Sequence, residues 1–127
     1  MSLTLDICDY IHSQDASLII DTNLFPGSEP DDSPDECVTI IESPGGTENW
    51  SGMEIRPFQV IAKAASFEPA NTLAYSVYDI LKNKPGFLTI ISNVFYCEVL
   101  SMPCPIDQDD RDRYVFTSNF IIHKITV

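Results

Sequence analysis

The sequence has little positive charge. Seven Lys and Arg residues stand against nineteen Asp and Glu residues, which gives a formal net charge of -12. Proteins that bind DNA or RNA through the phosphates need clustered Lys and Arg, and anionic membrane surfaces attract the same side chains. The composition therefore argues against both kinds of binding and favours either a surface that keeps the chain soluble or one that must not bind nucleic acid.

Long apolar runs and paired cysteines are also missing. No stretch approaches the ~18 apolar residues of a membrane helix, and residues 1–6 lack the basic and apolar regions of a signal peptide. We therefore expect a protein that is made and kept in a cytosol. None of the four cysteines (Cys8, Cys37, Cys97 and Cys104) belongs to a C-x-x-C pair. Reduced thiols used as small apolar side chains are thus favoured over a zinc site.

Catalytic motifs are scarce. A nucleophile needs a base within reach, and the positions of His12 and His123 favour structural or surface roles. No Walker, G-x-S-x-G or G-x-G-x-x-G pattern occurs, and the acids from Asp107 to Asp112 do not fit an EF-hand loop. Spacing leaves a glycosidase-like carboxylate pair open, but nothing singles out two of the nineteen acids. We predict a non-enzymatic chain without cofactor or metal.

The residues that are present suffice for one globular domain. Hydrophobic residues make up 44% of the chain and charged residues 20%, which is ordinary for a soluble domain. A chain of 127 residues buries roughly two-thirds of the surface that its unfolded form exposes. We expect a single domain over residues 1–127 that needs no disulfide or metal for its core.

Hydrophobic periodicity predicts two helices and several strands. One helix starts near Leu3, and a second follows Pro69 and ends before Pro85. Extended segments are expected at residues 18–24, 37–41, 53–65, 87–100 and 113–127, with loops at 25–36 and 103–112. The apolar alternation in 53–65 changes phase at Pro57, which predicts a bulge or bend. The order indicates an α+β fold: an antiparallel or mixed β-sheet with two helices packed on one face and an extended β-hairpin at the C-terminal end.

Two aromatic residues lie in predicted loops. Phe25 precedes Pro-Gly, and Trp50 lies in the polar stretch 46–52. Aromatic residues in loops act as anchors for partner surfaces, and they also fold back as lids on the core. Both interpretations stay open, and Phe25 and Trp50 are our candidates for a protein interface.

Four segments together resemble a known family. They are the amphipathic opening helix with the extended stretch up to Gly27, the prolines and acids followed by an apolar strand and Gly-Gly in residues 30–46, the strand and helix of residues 58–84, and residues 105–120. In the last segment, a charged hairpin tip is followed by the pattern R-x-x-(F/Y)-x-x-N-F. The chain resembles the tail terminator proteins of long-tailed bacteriophages, also described as minor capsid or tail completion proteins. It departs from them in its acid-rich tip, where many relatives have a glycine before the acid.

The resemblance implies an α+β fold and a ring, usually a hexamer, at the end of the tail tube. The ring would fix tail length and join tail to head, with the tube protein and the head connector protein as partners and the tail or neck of the virion as its location. Such rings often form on the tube as template, so an isolated chain is compatible with a monomer. A head–tail adaptor or another neck protein is the alternative, and a small hydrolase or metal-dependent enzyme is a more remote one.

DNA would pass through such a ring without specific binding. Duplex DNA carries one negative charge per ~1.7 Å, so an acidic lining would repel it and keep it sliding within a Debye length of about 8–10 Å. We expect that some acids of the two loops face this channel, and the alternative is that they only keep the unassembled chain soluble. The candidates are Glu29, Asp31, Asp32, Asp35, Asp107, Asp109, Asp110 and Asp112.

Overall fold

The computed structural model describes residues 3–48, 52–82 and 94–125. Within them the elements are α1 (Leu3–Gln14), β1 (Leu24–Pro26), β2 (Cys37–Glu42), β3 (Thr47–Glu48), β4 (Met53–Ala64), α2 (Phe67–Leu81), β5 (Val94–Ile106) and β6 (Tyr114–Ile125). The strands form one six-stranded sheet in the order β1-β2-β4-β6-β5, with β3 paired to β4. β1 and β2 are parallel and the other pairs are antiparallel. The predicted α+β fold with a mixed sheet and a C-terminal hairpin is confirmed.

The long pair β4 and β6 forms the centre of the sheet. Its register runs without a shift from Met53 opposite Ile125 to Ala64 opposite Tyr114. Phe58 and Phe120 lie opposite each other and stack with ring centroids 5.3 Å apart. Both rings are fully buried, and such a pair adds roughly 0.5–1.5 kcal/mol beyond the burial of its area.

Both helices cover one face of this sheet. Alternate residues of β4 are buried from Phe58 to Ala64, because successive side chains of a strand point to opposite faces. Apolar residues of α1, such as Ile7, and of α2, such as Leu81, belong to the same buried cluster as Phe58. Helix α1 packs over β1 and β2, whereas α2 packs over β4, β5 and β6. Neither helix, nor any other in the described part of the chain, is long and apolar enough to span a membrane.

The predicted bulge at Pro57 is wrong. Strand β4 passes through Pro57 without a register shift, and the carbonyl of Pro57 accepts a hydrogen bond from the N–H of Ser43 at 3.0 Å. A residue's N–H and C=O point to the same side of a strand, so the missing donor of Pro57 faces β2. Because β2 ends at Glu42, the missing donor falls just beyond the paired part of β2.

The predicted loops are shorter than expected. Phe25 belongs to strand β1, which lies parallel to β2, so the first loop spans residues 27–36. Strand β5 continues through Pro103 and Pro105 to Ile106, because both prolines lie on an edge strand, where a missing donor is tolerated. Segment 18–24 is not a continuous strand, because residues 21–23 form a turn and only Leu24 belongs to a strand. The expected end of α2 at Pro85 and residues 87–93 of the predicted strand lie outside the described residues.

The face opposite the helices carries a second buried group. Phe25, Thr39 and Cys37 are 4%, 3% and 1% exposed, respectively, yet they do not belong to the core cluster beneath the helices. Parallel neighbouring strands require a crossover connection, and residues 27–36 provide it between β1 and β2. Contacts of Glu29 with Cys37 and Lys63 place this loop across the face that the helices leave open.

Candidate functional site

The two acidic loops meet at one end of the sheet. The first, residues 27–36, is the β1–β2 loop, and the second, residues 107–113, is the hairpin tip between β5 and β6. In the sheet register Cys37 lies opposite Lys63, and Ala64 lies opposite Tyr114. The start of β2, the end of β4 and the start of β6 therefore lie side by side. This register brings together segments that are about 80 residues apart in the sequence.

Arg113 joins the two loops. Its side chain is 3% exposed, and its Nε donates to Asp109 Oδ2 at 2.8 Å. One terminal nitrogen, Nη2, donates to Glu29 Oε2 at 2.9 Å. The other, Nη1, donates to Ser33 Oγ at 2.9 Å and to the carbonyl oxygen of Pro34 at 3.0 Å. A planar guanidinium suits this multiple recognition, and we call the arrangement of Arg113 with its partners the arginine clasp.

Lys63 adds a second positive charge to the clasp. Its Nζ lies 3.2 Å from Glu29 Oε2 and 3.3 Å from Asp109 Oδ2. Each of the two carboxylates is thus shared by Lys63 and Arg113. Two cations and two anions balance one another in a half-buried place, where an unpaired charge would be costly.

Arg111 makes an outer connection between the same loops. Its guanidinium lies 3.3 Å from Asp35 Oδ1, and it donates to the carbonyl oxygen of Asp31 at 3.2 Å and to Ser33 Oγ at 3.3 Å. The side chains of Arg111 and Asp35 are 36% and 65% exposed. Exposed ion pairs contribute little, so Arg113 and not Arg111 carries the stability of this junction.

The hairpin tip is folded around Asp109. Its Oδ1 accepts the backbone N–H groups of Arg111 and Arg113 at 3.0 and 2.9 Å, as in an Asx turn. Asp112 has φ of 60°, a left-handed conformation that Asp tolerates better than most residues. Gln108 Nε2 donates to the carbonyl oxygen of Asp112 at 2.9 Å. The tip is therefore a defined turn rather than an open loop.

Both shared carboxylates are held in the ionised form. Burial alone would raise the pKa of Asp109, but backbone and side-chain hydrogen bonds from Arg113, with further ones from Arg111 and Lys63, outweigh it and lower the pKa to about 2. Burial also opposes ionisation of Glu29, and hydrogen bonds from Lys63, Cys37 and Arg113 nevertheless lower its pKa. Both carboxylates are consequently ionised in neutral solution.

The predicted channel-facing acids fall into two groups. The carboxylates of Glu29 and Asp109 turn towards Arg113 and Lys63 and are only 18% and 13% exposed. The other six lie on the surface around the clasp. They are Asp31, Asp32, Asp35, Asp107, Asp110 and Asp112.

The two aromatic candidates differ in what the structure describes. The ring of Phe25 packs inside the chain, so little of its surface is open to a partner in the isolated subunit. Its interface role stays a prediction that a complex would test. Trp50 lies outside the described residues.

Both histidines contact protein groups. His12 Nδ1 lies 2.7 Å from the carbonyl oxygen of Leu18, which connects the end of α1 to the turn that follows. His123 Nε2 lies 3.0 Å from Glu98 Oε1 across the β5–β6 pair. Among the described residues, no group of three or more His, Cys, Asp or Glu side chains has the arrangement of a metal site.

The clasp was not predicted from the sequence. One local signal is the spacing of Asp109 and Arg113, which places a base four residues after an acid in a tip rich in acids. A second signal is Lys63, a charged residue in an otherwise apolar stretch of β4. Neither signal shows that both bases also bind Glu29, because that contact depends on the sheet register.

Comparisons with known proteins agree with the resemblance noted in the sequence. A solved chain from the "Virion of native gene transfer agent (GTA) particle" superimposes with a TM-score of 0.72 at 14% identity, over 98% of this chain and 95% of that chain. At this identity the likeness shows a shared fold. No curated protein matches the sequence significantly. A family model described as bacteriophage tail terminator protein matches residues 6–125, nearly the whole sequence, and the chain therefore belongs to the bacteriophage tail terminator family.

Proposed function

We propose that this chain is the subunit of a ring that caps the phage tail tube, fixes tail length and joins the tail to the head. The family match over residues 6–125 carries this proposal. Membership of the family gives the chain a structural role in phage tail assembly. The proposal adds three points to this role, namely a hexameric ring, a position at the tail end or neck of the virion, and assembly in the host cytoplasm.

In this mechanism the ring has two working faces. One face pairs with the last ring of the tube protein and blocks further addition, and the other receives the head connector protein. A face of this kind needs loops that are ordered before they bind, because ordering loops on binding lowers the affinity. The arginine clasp supports such a role, since it fixes the β1–β2 loop and the hairpin tip to each other in the free subunit.

We also infer that the chain works without catalysis. The family is a structural one, and the charged groups that come together in the clasp neutralise one another instead of leaving a free nucleophile or base. The remote alternative, a hydrolase, predicts that the purified chain hydrolyses a substrate.

The six exposed acids around the clasp are proposed to face the DNA channel. They are exposed to solvent, and although Asp35 also pairs with Arg111, their net negative charge can repel duplex DNA over roughly a Debye length. Changing Asp107 and Asp110 to Lys should leave folding and ring formation intact and should slow DNA ejection, more strongly at low salt. Ejection rates that stay equal to those of the parent at every salt concentration, with rings present, would leave solubility as the role of these acids.

Particles made without this protein test the assignment. A terminator predicts overlong or headless tails in negative-stain micrographs, and restoring the chain should restore uniform tail length. Full heads without tails would instead support a head–tail adaptor, the alternative position in the neck. Normal particles would contradict both assignments.

A further inference from the structure

The β1–β2 loop adds little to the hydrophobic core. Its ten residues, 27–36, are all Gly, Ser, Pro, Asp or Glu. Eight of them are exposed, whereas Glu29 is half-buried and Ser33 is buried. Segments with few buried apolar contacts open at a lower free energy than the core does. The stability of the loop therefore depends mainly on its polar contacts.

Three cations supply most of these polar contacts. Arg113 binds the loop through the side chains of Glu29 and Ser33 and through one carbonyl oxygen. Lys63 shares Glu29, and the more exposed Arg111 binds Ser33 from outside. Because Arg113 makes three of the contacts and is itself buried, its side chain is the main attachment of the loop to the hairpin tip.

The loop covers the second buried group on the open face of the sheet. Phe25 and Thr39 lie opposite each other in the β1–β2 register, and Cys37 Sγ lies 3.3 Å from Glu29 Oε1 of the loop. The buried Oγ1 of Thr39 has no hydrogen-bond partner in the described part of the chain, which is costly while the loop is closed. Opening the loop would give this hydroxyl access to water.

Both ends of the loop are anchored independently of the clasp. Gly27 donates its N–H to the carbonyl oxygen of Ile40 at 2.7 Å, and Cys37 is paired with Lys63 in the β2–β4 ladder. Gly27 has φ of 86°, and a Cβ added there would meet no described atom within 4 Å. Glycine adopts such angles freely, so the chain can turn at Gly27 while the strands on either side stay paired.

We propose that the β1–β2 loop is a lid over Phe25 that opens as a unit while the rest of the sheet stays folded, with Arg113 as its latch. The closed form is the ordered one that the free subunit presents, and opening is the rarer event. The lid thus keeps an aromatic interface candidate covered until the clasp is released.

Opening has a consequence for binding. A partner that contacts Phe25 selects the open form, and its apparent affinity is lowered by the fraction of chains that are open. This consequence rests on the proposed ring, whereas the lid itself is a property of the isolated chain. The two can therefore be tested separately.

The buried thiols of the chain report its opening. Cys37 lies beneath the lid, whereas Cys8 of α1 and Cys97 of β5 belong to the main core. After the exposed Cys104 has reacted with a thiol reagent, each buried thiol reacts in proportion to the fraction of chains in which it is open. Mass spectrometry of peptides gives a rate for each cysteine. In the parent chain Cys37 should react at least tenfold faster than Cys97, and urea should accelerate Cys37 less, because a local opening exposes less surface.

Three variants separate the latch from the core. Arg113→Met should raise the Cys37 rate roughly a hundredfold without urea, which corresponds to about 3 kcal/mol. The matched control, Arg111→Met, removes a similar but more exposed side chain and should raise that rate at most about fivefold. Ile7→Val weakens the core beneath the helices and should raise the Cys8 and Cys97 rates about fivefold while the Cys37 rate stays unchanged.

Two results would overturn the inference. A Cys37 rate equal to that of Cys97 in the parent, with the same urea dependence and the same response to Ile7→Val, would show that the loop opens only when the whole chain unfolds. A Cys37 rate that Arg113→Met leaves unchanged would show that Arg113 is not the latch. The parent and Ile7→Val measurements decide the first point even where Arg113→Met does not fold. Neither result bears on tail capping, so the proposed function is tested separately by particles made without the chain.

Discussion

Replacing Arg113 by Met should destabilise the chain more than any other charge removal at the junction of the two acidic loops. The guanidinium is 3% exposed and is bonded to Asp109 and Glu29. Met fills much of the volume but leaves both carboxylates without their main partner. Breaking a buried pair from one side costs roughly 3–5 kcal/mol. Because Lys63 still lies within 3.3 Å of both carboxylates, we expect the lower limit, about 3 kcal/mol.

Urea unfolding of the purified chain measures this cost. For a slope of about 2 kcal/mol per M, the midpoint should fall by about 1.5 M. The matched control is Arg111→Met, which removes the same kind of side chain from the same junction at a more exposed position, since the Arg111 side chain is 36% exposed. Removing that pair should cost about 0–1 kcal/mol. Equal midpoint shifts for the two variants would refute the view that Arg113 holds the loops together.

Three further results follow from the structure. The pKa of Asp109 is lowered from 3.8 to about 2, and that of Glu29 is also lowered, so their contribution to stability is fully present above the unfolded pKa values and is lost as the pH falls through the folded ones. The urea midpoint should therefore decrease as the pH is lowered from about 4 to about 2. A midpoint that does not change over this range would contradict the clasp. Thr39→Val should raise the free energy of unfolding by about 1 kcal/mol, because the buried Oγ1 has no hydrogen-bond partner and an unsatisfied hydroxyl is costly; a lower urea midpoint would show that the hydroxyl is satisfied. A thiol reagent should label one cysteine per native chain, Cys104, because the others are buried; rapid labelling of Cys97, whose pKa burial raises to about 12, would contradict its place in the core.

Local patterns were sufficient to predict the helices and the central strands. The apolar stripe of α1 and the alternation of Phe116, Phe120 and Ile122 in β6 depend only on the helical and strand periods. All three residues of that alternation are buried. The family resemblance was likewise carried by local segments, and the family match confirmed it.

Features that depend on neighbours in space were not predictable in the same way. Pro57 suggested a bulge. Whether its missing N–H matters depends on where the neighbouring strand β2 ends, and the residues of β4 carry no information about that. Phe25 next to Pro-Gly suggested a loop, whereas pairing with β2 extends the chain there. The clasp combines residues of two loops and one strand, and only the sheet register places Glu29 beside Arg113.

Growth of tail tubes in the presence of this chain tests the central claim most directly. Uncapped tails can be incubated with tube protein, with and without the purified chain, and their lengths measured in electron micrographs. The proposed function predicts that lengths stop increasing once the chain is added and that the capped tails then join heads. Tails that continue to grow at the same rate with the chain present would contradict it.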